Sequence, residues 1–391
     1  MEKPKIRFLK NKNSWVRNTF EEIAKRRTKS SDNPDLPRIE YQDIISGEGR
    51  LSKDLNKNID CRKGIVFETN DILYGKLRPY LKNWLHPNFN GIALGDFWVL
   101  QARNCDSKFL FSLVQSPKFQ RVANDTSGTK MPRSDWKTVS QTEFSIPTSN
   151  DEQSAIGSLF RTLDELLTSY KDNLVNYQSL KAAMLSKMFP QAGQTIPEIR
   201  LDGFEGEWEV VNLGTLIENF DEVISGTSGF PIATSSRKGL YLQNDYFEGG
   251  RTGIDLTLDF HRVPMGYVTY RHMSDDSIFK FNKNNFETDV LVSKEYPVFI
   301  NNDNSDIDFL LYHLNNSRLF LRFSTMQKLG GTRVRLYYKN LITYKIAVPT
   351  VKEQQAIGTY FSNLDNLINS HQEKISQLET LKKKLLQDMF I

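Results

Sequence analysis

Only two cysteines, Cys61 and Cys105, occur in the 391 residues, and they share no C-x-x-C spacing. A disulfide framework and a zinc site of standard spacing are both unsupported on that count. No stretch approaches the roughly 18 apolar residues of a membrane span. The opening Met1-Glu2-Lys3-Pro4-Lys5 lacks the apolar core of a signal peptide, so a cytoplasmic protein is expected.

Catalytic motifs are missing too. There is no G-x-x-x-x-G-K-[ST] phosphate loop: Ser225-Gly226-Thr227-Ser228-Gly229 lacks the lysine, and Gly249-Gly250 reads as a hairpin turn. No G-x-G-x-x-G follows a strand-like run. The Asn/Asp-Pro-Pro-aromatic tetrad of amino-methyltransferases is absent, since Asn33-Pro34-Asp35-Leu36 departs from it at the third and fourth positions. The five histidines are scattered, with none at H-E-x-x-H spacing. His371 falls on a helix seam and reads as packing. His272, after Arg271 in a polar loop, reads as a solvated surface residue that could also touch a ligand. Nothing marks a pair of carboxylates as general acid and base.

What is present is a repeat. Glu152–Phe189 returns 201 positions later, without a gap, as Glu353–Phe390, and 15 of the 38 aligned residues are identical. In the first copy Ile156, Phe160, Leu163, Leu167, Tyr170, Leu174, Tyr177, Lys181, Met184 and Met188 alternate at spacings of four and three. In the second, Ile357, Phe361, Leu364, Ile368, His371, Ile375, Leu378, Lys382, Leu385 and Met389 do the same. That 3.5-residue period predicts a coiled-coil seam, interrupted at one shared point by Lys181 and Lys382. Ser149-x-x-Glu152 and Thr350-x-x-Glu353 read as capping boxes, and Pro190 stops the first helix. At 1.5 Å per residue each helix is about 57 Å long.

The repeat reaches beyond the helices. Pro4-x-Ile6-Arg7 with Trp15 is matched by Pro197-x-Ile199-Arg200 with Trp208. Gly128-Thr129-Lys130-Met131-Pro132-Arg133 is matched by Gly331-Thr332-Arg333-Val334-Arg335. The strand-like segments Phe144–Pro147 and Ile346–Pro349 then lead into the helices. Between these markers the halves diverge. The first holds strand-like runs at Ile65–Phe67, Ile72–Tyr74 and Phe97–Leu100 and a helix at Phe109–Val114. The second holds strands at Tyr267–Tyr270, Val290–Val292 and Val298–Ile300 and one helix at Ile307–Phe320. The expected fold is α+β: two globular domains separated by two long antiparallel coiled-coil helices, with pseudo-twofold symmetry. The boundaries fall at 1–148, 149–190, 191–349 and 350–391.

Net charge is +4 and the pI is near 8.7, which permits a polyanionic partner without demanding one. The candidate DNA-binding residues are cationic and hydrogen-bonding side chains interleaved with aromatics: Lys76, Arg78 and Tyr80; Lys130 and Arg133; Tyr270, Arg271 and His272; Arg333 and Arg335. Cations hold phosphates, and forked side chains read base edges. The competing reading for any one of them is a solvated surface charge, as it is for Lys25-Arg26-Arg27. Lys382–Lys384 sit late in a helix, where cations favour the macrodipole.

This layout resembles the specificity subunits of type I restriction–modification enzymes. The residues carrying the likeness are the Pro-x-Ile-Arg…Trp starts, Asp71–Tyr80, the two Gly-Thr-basic segments and the Glu-Gln-x-Ala-Ile-Gly openings of both helices. One departure is that the Leu77-Arg78-Pro79-Tyr80 form occurs only in the first domain. The resemblance implies a subunit that performs no chemistry and binds no cofactor. Its two domains would grip two half-sites of double-stranded DNA, while the antiparallel helices hold the domains apart, about one helical turn or roughly 34–36 Å. It further implies two modification subunits using S-adenosylmethionine, docked on exposed helix faces, and two restriction subunits using ATP and Mg2+. The alternatives are a coiled-coil scaffold that binds protein and not DNA, and a freestanding enzyme, which the missing motifs disfavour.

Overall fold

A computed structural model describes residues 4–8, 14–52, 62–125, 130–246, 255–328 and 333–390. Cys61, Gly128, Thr129, Gly249, Gly250, Gly331 and Thr332 lie outside the described residues. The chain forms two compact units: Met1–Leu174 with Ser370–Ile391, and Val175–Asn369. The division falls inside two long helices, Asn150–Lys187 and Val351–Met389. Each unit therefore owns one half of each helix. No helix among the described residues is long and apolar enough to cross a membrane.

In the first unit, Phe97–Ala102 lies between Ala24–Arg26 and Ile72–Gly75, and Trp84–Leu85 completes the sheet. Side chains alternate across a strand. Ile72, Tyr74, Trp98 and Leu100 accordingly enter one core, with the helices, while Leu73, Phe97 and Val99 enter a second core with Ile39 and Phe67. Phe67 belongs to a second sheet, ordered Ser30–Ser31, Gly64–Phe67, Gly91–Ala93 and Arg38–Ile39. The second unit is built alike. Val298–Asn301 pairs with Ile217–Phe220 and Val268–Tyr270, and Phe281–Lys283 lies beyond. Val268, Tyr270 and Phe299 pack with the helices, and Val298 packs with Val263, Val290 and Val292.

The helix predicted over Ile307–Phe320 is two helices, Ile307–Asn316 and Arg318–Met326. Ser317 is extended between them, and its hydroxyl accepts from Leu319 N and Phe320 N, which stops one helix and caps the next. Ser116 does the same in the first unit, between Ser107–Gln115 and Pro117–Ala123.

The helix halves run antiparallel inside each unit. In the first, Phe160 meets Phe390 (ring centroids 5.8 Å apart), and Tyr170 meets its own repeat partner, His371 (5.2 Å). In the second, Phe189 stacks on Phe361 and also touches Phe309. Of the predicted seam, Ile156, Phe160, Leu163, Leu167, Ile357, Phe361, Leu364, Ile368 and Leu378 are buried, while Leu174, Tyr177 and Ile375 are half-buried. The two seam lysines find carboxylates on the facing helix. Lys382 Nζ lies 2.5 Å from Asp164 Oδ1, and Lys181 pairs with Asp365, which also accepts from Tyr312 Oη at 2.8 Å. A polar pair at a seam position penalises other registers.

The remaining identities of the repeat fix each domain to its helix. Arg7 clasps Glu152 with Nε and Nη2 at 2.6 and 2.8 Å, and Trp15 Nε1 donates to the same carboxylate. Arg200 clasps Glu353 likewise, at 2.7 and 2.7 Å. The capping-box reading is thus corrected: Ser149 Oγ accepts from Glu152 N, but the Glu152 carboxylate turns to Arg7 and not to the helix start. Hydrogen bonding to these carboxylates raises both guanidinium pKa values. Gln153 and Gln354 accept from Asp106 N and Asp306 N, each the N-cap of a short domain helix. Gly157 and Gly358 let that helix approach. A Cβ on Gly157 would stand 2.5 Å from Phe109 N.

Candidate nucleic-acid interface

The interface of the first unit begins where the buried strand Ile72–Gly75 ends. Beyond it, Leu77 bridges Arg133 in antiparallel fashion, Arg78 N donates to Pro132 O at 2.7 Å, and Ser134 N donates to Lys76 O at 2.8 Å. Two stretches far apart in sequence thereby bring Lys76, Arg78, Tyr80, Lys130 and Arg133 together. Asp96 sets the base of the cluster, taking Arg133 Nη2 at 2.8 Å and Lys76 Nζ at 3.6 Å. Arg78, Tyr80 and Lys130 are exposed, and among the described residues Arg78 and Lys130 pair with no carboxylate.

Backbone conformation holds this surface. Arg78 (φ +50°) and Lys82 (φ +55°) are left-handed on either side of the turn Pro79–Leu81. Non-glycine residues in that region are strained by about 1–3 kcal/mol each and persist where the surroundings over-determine them. Buried Pro79 anchors the turn, and Tyr80, 56% exposed, stands at its crest. An aromatic face beside a free guanidinium and an ammonium can stack on a base or sugar while the cations take phosphates.

The second unit uses the same frame with different side chains. Leu336 N donates to His272 O at 2.8 Å, the counterpart of the Ser134–Lys76 bond, and Met273–Ser274 pairs with Val334–Arg335. His272 thus occupies the place of Lys76, and Ser274 that of Arg78. Positive charge comes from Arg271, Arg333 and Arg335, all exposed, with Arg333 Nε 2.8 Å from Asp275.

Two predicted contact residues are core residues. Tyr270 is fully buried, its Oη donating to Leu336 O at 3.0 Å, and burial raises its pKa well above the usual range. His272 is also buried, stacked on Tyr337, and burial lowers its pKa. Neither is solvated or free to meet DNA. Both position the segment that carries Arg271 and Arg333.

The sequence reading missed Asp96, Lys82 and the hairpin Ala233–Ser236/Gly239–Leu242, whose tip is Arg237-Lys238. The signal available for that hairpin was the turn composition Ser235-Ser236-Arg237-Lys238-Gly239. Among the described residues no group of His, Cys, Asp and Glu could hold a metal ion.

Residues 234–380 match the family of the type I restriction modification DNA specificity domain. The type I restriction enzyme MjaVIII specificity subunit of Methanocaldococcus jannaschii is 22% identical over 355 residues, 83% of this chain and 79% of that one. A putative type I restriction enzyme MjaX specificity subunit of the same organism is 23% identical over 60% of this chain and 56% of its own length. The fold is similar to the crystal structure of the type I restriction–modification S subunit from M. genitalium, with TM-score 0.62 and 13% identity, over 100% of this chain and 99% of that one. With its twice-built domain-and-helix frame, the chain is similar to the specificity subunits of type I restriction–modification enzymes over most of its length.

Proposed function

We propose that this DNA-specificity subunit reads a bipartite, asymmetric site, one half with each unit, and carries no chemistry of its own. One observation supports this most directly: the same strand-end frame recurs in both units, but Lys76 and Arg78 of the first are replaced by His272 and Ser274 in the second, whose positive charge comes from Arg271, Arg333 and Arg335. A repeated frame with different side chains is what reading two different half-sites requires. Phosphate contacts position the duplex, and forked donors on strand ends and turns address base edges. The methyl donor S-adenosylmethionine, and ATP with Mg2+, then belong to modification and restriction subunits that assemble on this chain, two of each, in the cytoplasm.

The test is methylome mapping of a host expressing the chain with its modification subunit, beside a host lacking the chain. Adenine methylation at one interrupted, asymmetric motif, lost without the chain, is the expected result. Methylation unchanged by its removal, with an active modification subunit present, would leave a scaffold that does not read DNA.

A further inference from the structure

Two clefts in the second unit share a wall. One, of about 530 Å3, is lined by Arg271 and Arg333 of the candidate interface, together with Arg237, Lys238 and Lys280. The other, of about 510 Å3, is lined again by Lys238 and Lys280, and by Lys283, Asp308, Lys181 and Asp365 beside the paired helices. Cations therefore run without a break from the recognition surface to the helix pair of the same unit.

Their partners divide them into two sets. Arg333 pairs with Asp275, Arg237 with Asp276, Lys283 with Asp308 and Lys181 with Asp365. Among the described residues Arg271, Lys238 and Lys280 pair with no carboxylate. Lys280 is half-buried, and burial and the nearby Lys181 lower its pKa against the opposing pull of Asp365, with which it forms no ion pair. An anion in the cleft would add to the neutralisation of its charge.

The hairpin that carries Lys238 is stapled in place. Buried Asn282 donates through Nδ2 to Ser235 Oγ at 2.8 Å and to Ser236 O at 2.9 Å. Ser236 Oγ accepts from Lys238 N at 3.1 Å and donates to Gly239 O at 3.0 Å. Arg237 grips Asp276 with both Nη atoms, at 2.8 and 2.5 Å, and draws that carboxyl down to about 2. Arg237 is thereby spent as a fastener, and Lys238 is left exposed at a preorganised tip, so little ordering is lost when it meets a ligand.

We infer that Lys238 and Lys280, continuing from Arg271, form a phosphate-gripping track that holds the duplex backbone between the half-site read by the second unit and that unit's paired helices. This rests on the DNA-reading function proposed above. The two lysines would position the duplex and carry no base preference. A compact ammonium on a flexible stem suits phosphate as a point charge and has no forked geometry for a base edge.

The experiment uses the full chain in complex with its modification subunit. Its duplexes carry either the motif found by methylome mapping or a scrambled sequence. Lys238→Gln and Lys280→Gln, singly and together, are measured over a range of salt. Each is expected to make the slope of log affinity against log salt shallower by about 0.9. Affinity for both duplexes should fall by the same factor, with the methylated motif unchanged. Lys280→Arg, which retains charge, should keep the wild-type slope and separates charge loss from a packing defect. An unchanged slope in the double variant overturns the track. So does a loss confined to the motif duplex, which would assign the lysines to base readout. If the wild-type complex does not prefer its own motif, the DNA-reading function falls first, and the track with it.

Discussion

At the scale of single residues, the strongest commitments are buried charges. The Glu152 side chain has no exposure, and Arg7 and Trp15 hold it. Removing one partner of a buried pair leaves an uncompensated charge and costs about 3–5 kcal/mol. Arg7→Met should therefore destabilise the first unit by that amount, and Arg200→Met the second. Urea titration followed by hydrogen exchange, peptide by peptide, assigns the loss to a unit. Adding Glu152→Gln to Arg7→Met should recover part of it, because the remaining polar group is no longer charged. A loss below about 1 kcal/mol in Arg7→Met would mean that the carboxylate reaches water.

A buried histidine, His313, and a half-buried one, His86, give the pH dependence. His313 is fully buried, with Nε2 2.8 Å from Tyr344 Oη, and burial lowers its pKa to about 3; His86 in the first unit is lowered to about 4. Both fall below the unfolded value near 6.5, so the unfolded chain binds the extra proton first as pH drops. Their contribution is complete above about pH 6.5 and is lost as pH falls toward the folded values, at roughly 1.4 kcal/mol per pH unit for each group. Between about pH 5 and 6.5, His313→Gln should flatten this decline in the second unit and leave the first unit's decline in place. An unaltered second-unit slope would show that His313 does not stay neutral in the folded state.

At the scale of elements, the two helix glycines are not equivalent. A Cβ on Gly157 meets Phe109 N at 2.5 Å, Lys108 Cβ at 2.6 Å and Lys108 C at 2.7 Å, so backbone must move. A Cβ on Gly358 meets the Asp306 Oδ1 side chain at 2.7 Å, with backbone no nearer than 3.2 Å. Alanine gains about 1 kcal/mol of helix propensity at either site, against about 1–3 kcal/mol for overpacking that cannot relax. Gly157→Ala should be clearly destabilising and Gly358→Ala near neutral. Equal effects in thermal melts of the two variants would contradict this ranking.

The same elements show what a sequence can and cannot reveal. The long helices were legible because a 3.5-residue period sustained over 38 residues has one structural solution, and Lys181 and Lys382 were visible as a defect in it. Their carboxylates were not legible, because Asp365 and Asp164 lie on the facing helix and only packing brings them there. Arg7, Arg200 and the two tryptophans were visible as repeated, yet their target was hidden behind a plausible capping box. Tyr270 was misplaced because its strand, Val268–Tyr270, is buried on both faces and shows no apolar–polar alternation, and His272 because it lies in a bend beyond that strand, beside exposed Arg271. On the recognition surface, Lys76, Arg78, Lys130 and Arg133 were found as separate segments. The pairing of Leu77 with Arg133 that unites them is long-range, and no local pattern encodes it.

At the scale of the whole molecule, the compact units do not follow the order of the chain. The first unit's core takes Leu378, Leu386, Met389 and Phe390 from the last stretch of sequence, and Phe390 packs on both Phe109 and Phe160. Lys5 N and Ile6 N donate to Asp388 O, tying the start of the same unit to this stretch. Burying an apolar side chain of this size is worth about 1.5–3 kcal/mol, so four of them approach the whole stability of a domain, about 5–15 kcal/mol. A chain ending at Asn369 should therefore lose hydrogen-exchange protection across residues 62–125, more than 240 positions away in sequence. Protection across residues 255–328 should persist, because every residue of the second unit's core lies between Val175 and Asn369. If both units lost protection together, they would unfold as one cooperative body. If neither did, Phe109, Phe160 and Leu167 would have to find other cover once the final helix half is gone. Loss confined to the first unit follows from the way each long helix is divided between the two cores, and it predicts that a lesion near the C-terminus first disables the surface carried by Arg78, Lys130 and Arg133.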